Sequence, residues 1–138
     1  MKVPTFESLK VGDEIPVLKI PPVSRHTLAL YCGASGDHNT IHVDMDYAKS
    51  VGLDDVIAHG MLSAGYLARM ITDWVPQSAI KSINNRFTAM THIGDSVTCT
   101  GKVVEKFEKG NEKLVRLEMK AHTPEARTII TEAVIALE

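Results

Sequence analysis

Residues 60–75, GMLSAGYLARMITDWV, limit the fold more than any other part of this chain. At helical spacing Arg69, Thr72 and Asp73 fall on one narrow face, and Met61, Ala64, Leu67, Ala68, Ile71, Trp74 and Val75 cover most of the remainder. Such a helix is about 24 Å long. Being apolar over most of its circumference, it needs protein packed nearly all round it. Gly60, Ala64, Gly65 and Ala68 are small enough for a sheet to approach the backbone closely, and Pro76 closes the helix.

The material to surround it follows directly. Segments 79–90, 96–107, 113–122 and 128–137 read as strands. The second and third alternate cleanly, with Val97, Cys99, Gly101 and Val103, then Val115, Leu117, Met119 and Ala121, on single faces. EKGNEK between them is a hairpin turn in which Gly110-Asn111 can take positive φ, and TPEAR is a second turn. The last three strands are therefore expected as an antiparallel meander beside the helix. Upstream, Ser24 is a plausible N-cap for a helix RHTLALYCGAS ending at Gly33 or Gly36, and DYAKS is a short helix closed near Gly52. No internal repeat and no Gly/Ser-rich linker divides the chain. The expectation is one α+β domain over residues 1–138, a long central helix wrapped by an antiparallel β-sheet.

Composition removes several functional classes. The 138 residues carry 17 acidic and 15 basic side chains, a net charge of −2, which leaves no footprint for nucleic acid or an anionic membrane. The longest run free of charged residues, 56–68, is 13 residues, too short to span a bilayer. The start, MKVPTFESLKVGDEI, has no apolar segment and carries acids early, unlike a secretion signal. Cys32 and Cys99 lie 67 positions apart and form neither a CxxC pair nor a disulfide framework. They read as small buried residues in a reducing compartment, and the protein as soluble and cytoplasmic.

The densest polar cluster is GDHNTIHVDMD, residues 36–46, with a second feature, Ala58-His59-Gly60, at the mouth of the long helix. Asp37 and His42 are five positions apart, on a loop of at most about 17 Å when extended, so their side chains can meet at one point. A carboxylate beside an imidazole can hold the ring in one tautomer and share a water or substrate hydroxyl with it. The same residue types also serve as loop caps, with Asp37 in an Asx turn and His42 half buried, and the residues alone leave both readings open. A metal set of His38, His42, Asp44 and His59 is weakly supported: Thr40 and Ile41 favour extended backbone, in which i and i+4 lie about 13 Å apart. No metal is expected. GxSxG, GxGxxG and GxxxxGK[ST] are all absent, so neither a serine nucleophile nor a nucleotide cofactor is supported. Gly60, opening a helix, offers an N–H without an intrahelical partner at the positive end of the dipole.

These residues resemble the MaoC-like hydratase/dehydratase family of hot-dog-fold enzymes, which includes (R)-specific enoyl-CoA hydratases and hydroxyacyl dehydratases. The matching stretches are SGDHNTIHVDMDYAKSVGL from Ser35 and IAHGMLSAGYLARMITDWV from Ile57, followed by RFTAM and GDSVTCTGKV, so the likeness runs over nearly the whole chain. It implies that Asp37 and His42 are the catalytic pair, that the Gly60 amide helps bind a thioester carbonyl oxygen, and that Asn39 shapes the loop. Thr40 stands where the family usually has proline, Thr91-His92 where it often has proline-valine, and Ala68 where some hydratases have serine.

The resemblance further implies reversible hydration of trans-2-enoyl thioesters to (R)-3-hydroxyacyl thioesters, with no cofactor. Coenzyme A or acyl-carrier-protein thioesters would be the substrates. A homodimer is expected, or a heterodimer with a second hot-dog subunit. A hot-dog acyl-CoA thioesterase and a partner subunit of a heterodimeric dehydratase are the alternatives.

Overall fold

The computed structural model describes residues 2–138. Five strands, β1 (Leu18–Lys19), β2 (Ile80–Phe87), β3 (Thr98–Lys109), β4 (Glu112–His122) and β5 (Arg127–Ala136), form one sheet in the order β1-β3-β4-β5-β2. Every pairing is antiparallel. Three helices, α1 (Arg25–Ser35), α2 (Met45–Ser50) and α3 (Gly60–Thr72), precede β2. The expected meander is present as β3-β4-β5, and β2 returns to lie outside β5 on a free sheet edge. This is the hot-dog arrangement: α3 lies against the concave sheet, which curls around it.

The sheet has the alternation its sequence carries. Val97, Cys99 and Val103 from β3 and its approach, Val115, Leu117, Met119 and Ala121 from β4, and Ile129, Ala133 and Ile135 from β5 are all buried in one core cluster. Against them α3 sets Leu67 and Ile71, both 0% exposed, with Leu62, Ala64 and Met70 beside them. Burial of each large aliphatic contributes about 1.5–3 kcal/mol. The β3–β4 hairpin turns on Gly110 at φ 62°. With Asn111 at ordinary negative φ, the glycine takes the first central position of a two-residue turn, as a type II′ turn requires. Gly101 is packed so closely that a Cβ would stand 2.8 Å from Met119 Cγ and 2.9 Å from Ile15 Cδ1.

Three expectations are corrected. The long helix ends at Thr72, not Val75: Trp74 and Val75 stay buried, but in the turn leading to Pro76. Nor is α3 enclosed all round, because Met61, Gly65, Arg69 and Thr72 form a stripe at i, i+4, i+8 and i+11 that remains exposed. Gly65 therefore meets nothing, and the close approach that a small residue permits occurs at Gly60, where a Cβ would lie 3.0 Å from the Phe87 ring. Finally, the N-terminal half contributes a strand, β1, two residues long and paired with β3 through Leu18–Cys99 and Lys19–Thr98. Among the described residues no helix is long and apolar enough to cross a membrane.

Candidate active site

The polar loop is built by its own side chains. Helix α1 is capped by Ser24, which accepts from the Thr27 N–H, and ends at Gly36, whose φ of 74° reverses the chain. Asp37 follows. Its Oδ1 accepts the Asn39 N–H at 3.2 Å, and Asn39 Oδ1 in turn accepts the Ile41 N–H at 3.2 Å, which starts a 3-10 turn over Thr40–His42. Asp44 caps α2 by accepting the Tyr47 N–H. The backbone-capping reading of this loop is thus true of Asn39, Asp44 and one oxygen of Asp37. The other oxygen, Oδ2, accepts no hydrogen bond among the described residues and lies 3.8 Å from His42 Nε2.

That distance is beyond a direct hydrogen bond, but a single water could be shared across it. Asp37 is half exposed, whereas His42 is buried to 7%. The ring orientation of His42 is set from the other side. Its Nδ1 is 2.7 Å from the Ile57 carbonyl oxygen. A carbonyl only accepts, so Nδ1 carries the proton and donates it, and neutral His42 presents a bare Nε2 lone pair toward Asp37. The tautomer is held by Ile57, not by the carboxylate as the sequence suggested. Ile57 is placed by its N–H bond to the Ile41 carbonyl and its bridge to His92, while the next residue, Ala58, donates its N–H to the Thr91 carbonyl.

His59 completes the cluster. It is 1% exposed and stacks on His42 with ring centroids 3.8 Å apart and planes 23° from parallel, and Tyr31 meets it edge-on at 4.7 Å. Its Nε2 lies 3.3 Å from both the Asp37 carbonyl oxygen and Cys32 Sγ. Burial, and next the neighbouring His42, push the His59 pKa below the ordinary imidazole value. The titratable groups facing it are Cys32, Asp37, His42 and Tyr31. The unfolded chain then binds a proton more readily than the folded one. Stability associated with His59 is present above the ordinary imidazole pKa of about 6.5 and is lost as pH falls below it. A fall in melting temperature between pH 7.5 and 5 is expected, and His59→Phe should flatten that slope. An unchanged slope would show that His59 titrates as it does in the unfolded chain.

Asp37, His42 and His59 each offer a ligand atom within 4.8 Å of the others, whereas His38 and Asp44 stand apart. Imidazoles bind a metal in the plane of the ring, and two rings stacked nearly parallel aim their lone pairs side by side instead of at one point. Cys99 is also outside this chemistry, since burial lifts its thiol to about 12. Gly60 follows His59 directly and opens α3. It is exposed, its N–H has no partner among the described residues, and Phe87 covers one side of it.

A buried imidazole, a half-exposed carboxylate 3.8 Å from it, and an amide without a partner among the described residues thus gather at the start of the helix that the sheet of this hot-dog fold curls around. The chain belongs to the family described as MaoC like domain, which it matches over residues 8–124. It is 36% identical over 107 residues to an (R)-specific enoyl-CoA hydratase of Rhodospirillum rubrum, with 73% of each chain covered. The R-hydratase PhaJ1 of Pseudomonas aeruginosa superposes with a TM-score of 0.83 at 27% identity, covering 97% of this chain and 86% of that one. The ChsH1-ChsH2 complex of Mycobacterium tuberculosis shares the fold, with a TM-score of 0.81 at 24% identity over 94% of this chain and 98% of that one.

Two contributors escaped the sequence reading. The Ile57 carbonyl has no residue signature at all. His59 was visible in Ala58-His59-Gly60, but only as a metal-ligand candidate; the packing of its ring on His42 leaves no mark in spacing.

Proposed function

We propose that the chain, as one hot-dog unit over residues 1–138, hydrates trans-2-enoyl thioesters to (R)-3-hydroxyacyl thioesters and catalyses the reverse dehydration. The observation that supports this best is the 3.8 Å gap between Asp37 Oδ2 and His42 Nε2, the nitrogen that carries the lone pair of the neutral ring because Nδ1 donates to Ile57. A water held in that gap gives one proton to His42 Nε2 as its oxygen adds to the β-carbon. His42 Nε2 then gives that proton to the α-carbon, so the pair ends as it began. Negative charge develops meanwhile on the thioester oxygen, where a fixed N–H such as that of Gly60 contributes most. The chemistry draws on this chain's own side chains and backbone, with no cofactor.

The substrate would be a coenzyme A or acyl-carrier-protein thioester in the cytoplasm. Pairing with a second copy fits the exposed Phe87 and Met61 beside Gly60 and the free edge of β2. Crotonyl-CoA and longer homologues should lose their enoyl-thioester absorbance without release of free thiol. Thiol release in place of hydration would favour the thioesterase alternative. Hydration appearing only after a second hot-dog subunit is added would favour the partner-subunit reading.

A further inference from the structure

We propose that His59 is a positioning residue that fixes the Asp37 loop and the His42 ring to the start of α3. The inference rests on the reading of Asp37 and His42 as the reacting pair. Three separate attachments of one residue carry it. Its ring face covers His42 at 3.8 Å. Its Nε2 reaches the Asp37 carbonyl at 3.3 Å. Its own backbone is the N-cap position of α3 and is covalently joined to Gly60.

The proton on His59 can be placed by elimination. If Nε2 carries it, Nε2–H donates to the Asp37 carbonyl, and the buried Nδ1, which has no partner among the described residues, is only an unfilled acceptor. If Nδ1 carried it, a buried N–H would be orphaned and the Asp37 carbonyl would face a lone pair. The first arrangement is the cheaper, because buried donors are very rarely left unpaired. His59 is therefore a neutral donor that ties the carboxylate loop by its backbone while its ring restrains the imidazole. Tyr31, edge-on at 4.7 Å, and Cys32, with Sγ at 3.3 Å, close the rest of the slot. Neither His42 nor Asp37 touches α3 through any other hydrogen bond among the described residues. Without His59 the His42 ring would still be tied to Ile57, but Asp37 would keep no hydrogen bond to the segment leading into α3 among the described residues.

Three variants separate the parts of this role. His59→Ala removes stack and donor, His59→Phe keeps a stacking ring, and His59→Gln keeps a side-chain N–H. On crotonyl-CoA the alanine variant should lose about 100-fold in kcat, the cost of roughly 1 Å of misplacement, with KM nearly unchanged. The phenylalanine and glutamine variants should each recover part of that loss. Circular dichroism and melting temperature are read in parallel. Because the stack keeps the His42 ring within reach of the Ile57 carbonyl that holds its tautomer, ¹⁵N spectra of the imidazoles should show His42 as a single Nδ1–H tautomer in the wild type and a mixture in His59→Ala.

Alanine, phenylalanine and glutamine variants that all turn over like the wild type, or a loss that only tracks unfolded protein, overturn the proposal. So does an unchanged His42 tautomer in His59→Ala. If instead the wild type fails to hydrate any enoyl thioester, the reading of the pair fails. The tautomer measurement still decides whether His59 holds the ring.

Discussion

Asp37→Asn lowers turnover of an enoyl thioester by about 10²–10⁴-fold while the melting temperature stays within a few degrees, an expectation set by the usual worth of a positioned acid–base group. The substitution is close to isosteric and keeps the loop. The amide oxygen can still accept the Asn39 N–H that Oδ1 accepts now. What changes is the atom facing His42. Oδ2, an acceptor 3.8 Å from Nε2, becomes an NH₂ donor, which competes for the lone pair that must take the proton from water.

His42→Ala should cost as much in rate but more in stability. It leaves the Ile57 carbonyl without its 2.7 Å donor and uncovers the buried face of His59, a penalty of about 1–3 kcal/mol for the unpaired group alone. Steady-state rates with crotonyl-CoA and thermal melts decide both. Turnover within tenfold of the wild type in Asp37→Asn would remove the carboxylate from the reaction.

The sequence was most legible where period or proximity carries the information. β3 and β4 announce themselves by alternation, and α3 by apolar residues at helical spacing. Asp37 and His42 can be paired because five positions on one loop leave them little room to separate. The end of α3 was placed late because Trp74 and Val75 are as apolar as the helix before them; they are buried without being helical. β1 is too short for alternation to register, and it forms because Leu18 and Lys19 find β3, a partner remote in sequence. The tautomer of His42 depends on a backbone carbonyl, so any residue at position 57 would read the same. Enclosure of α3 was overstated for a physical reason too. Met61 and Gly65 count as apolar in a helical projection, yet they share with Arg69 and Thr72 the one stripe that stays exposed.

Gly60 permits a test in which the amide is deleted and the helix kept. Proline is favoured at the first position of a helix, where its missing N–H has no intrahelical role. The preceding residue, His59, already has φ −58° and ψ 132°, the extended region that a residue before proline prefers. Gly60→Pro should therefore leave α3 formed. The added Cβ does meet Phe87 at 3.0 Å, but that ring is half exposed and can turn aside. Gly60→Ala makes the same contact and retains the N–H, so the difference between the two variants isolates the amide. If this N–H holds the thioester oxygen as charge develops on it, Gly60→Pro should fall about 10²–10³-fold below Gly60→Ala in kcat. The alanine variant itself should stay within about tenfold of wild type, because only a small shift of the ring is asked of it. Equal rates for the two variants, with α3 intact by circular dichroism, would mean that the developing charge is held elsewhere.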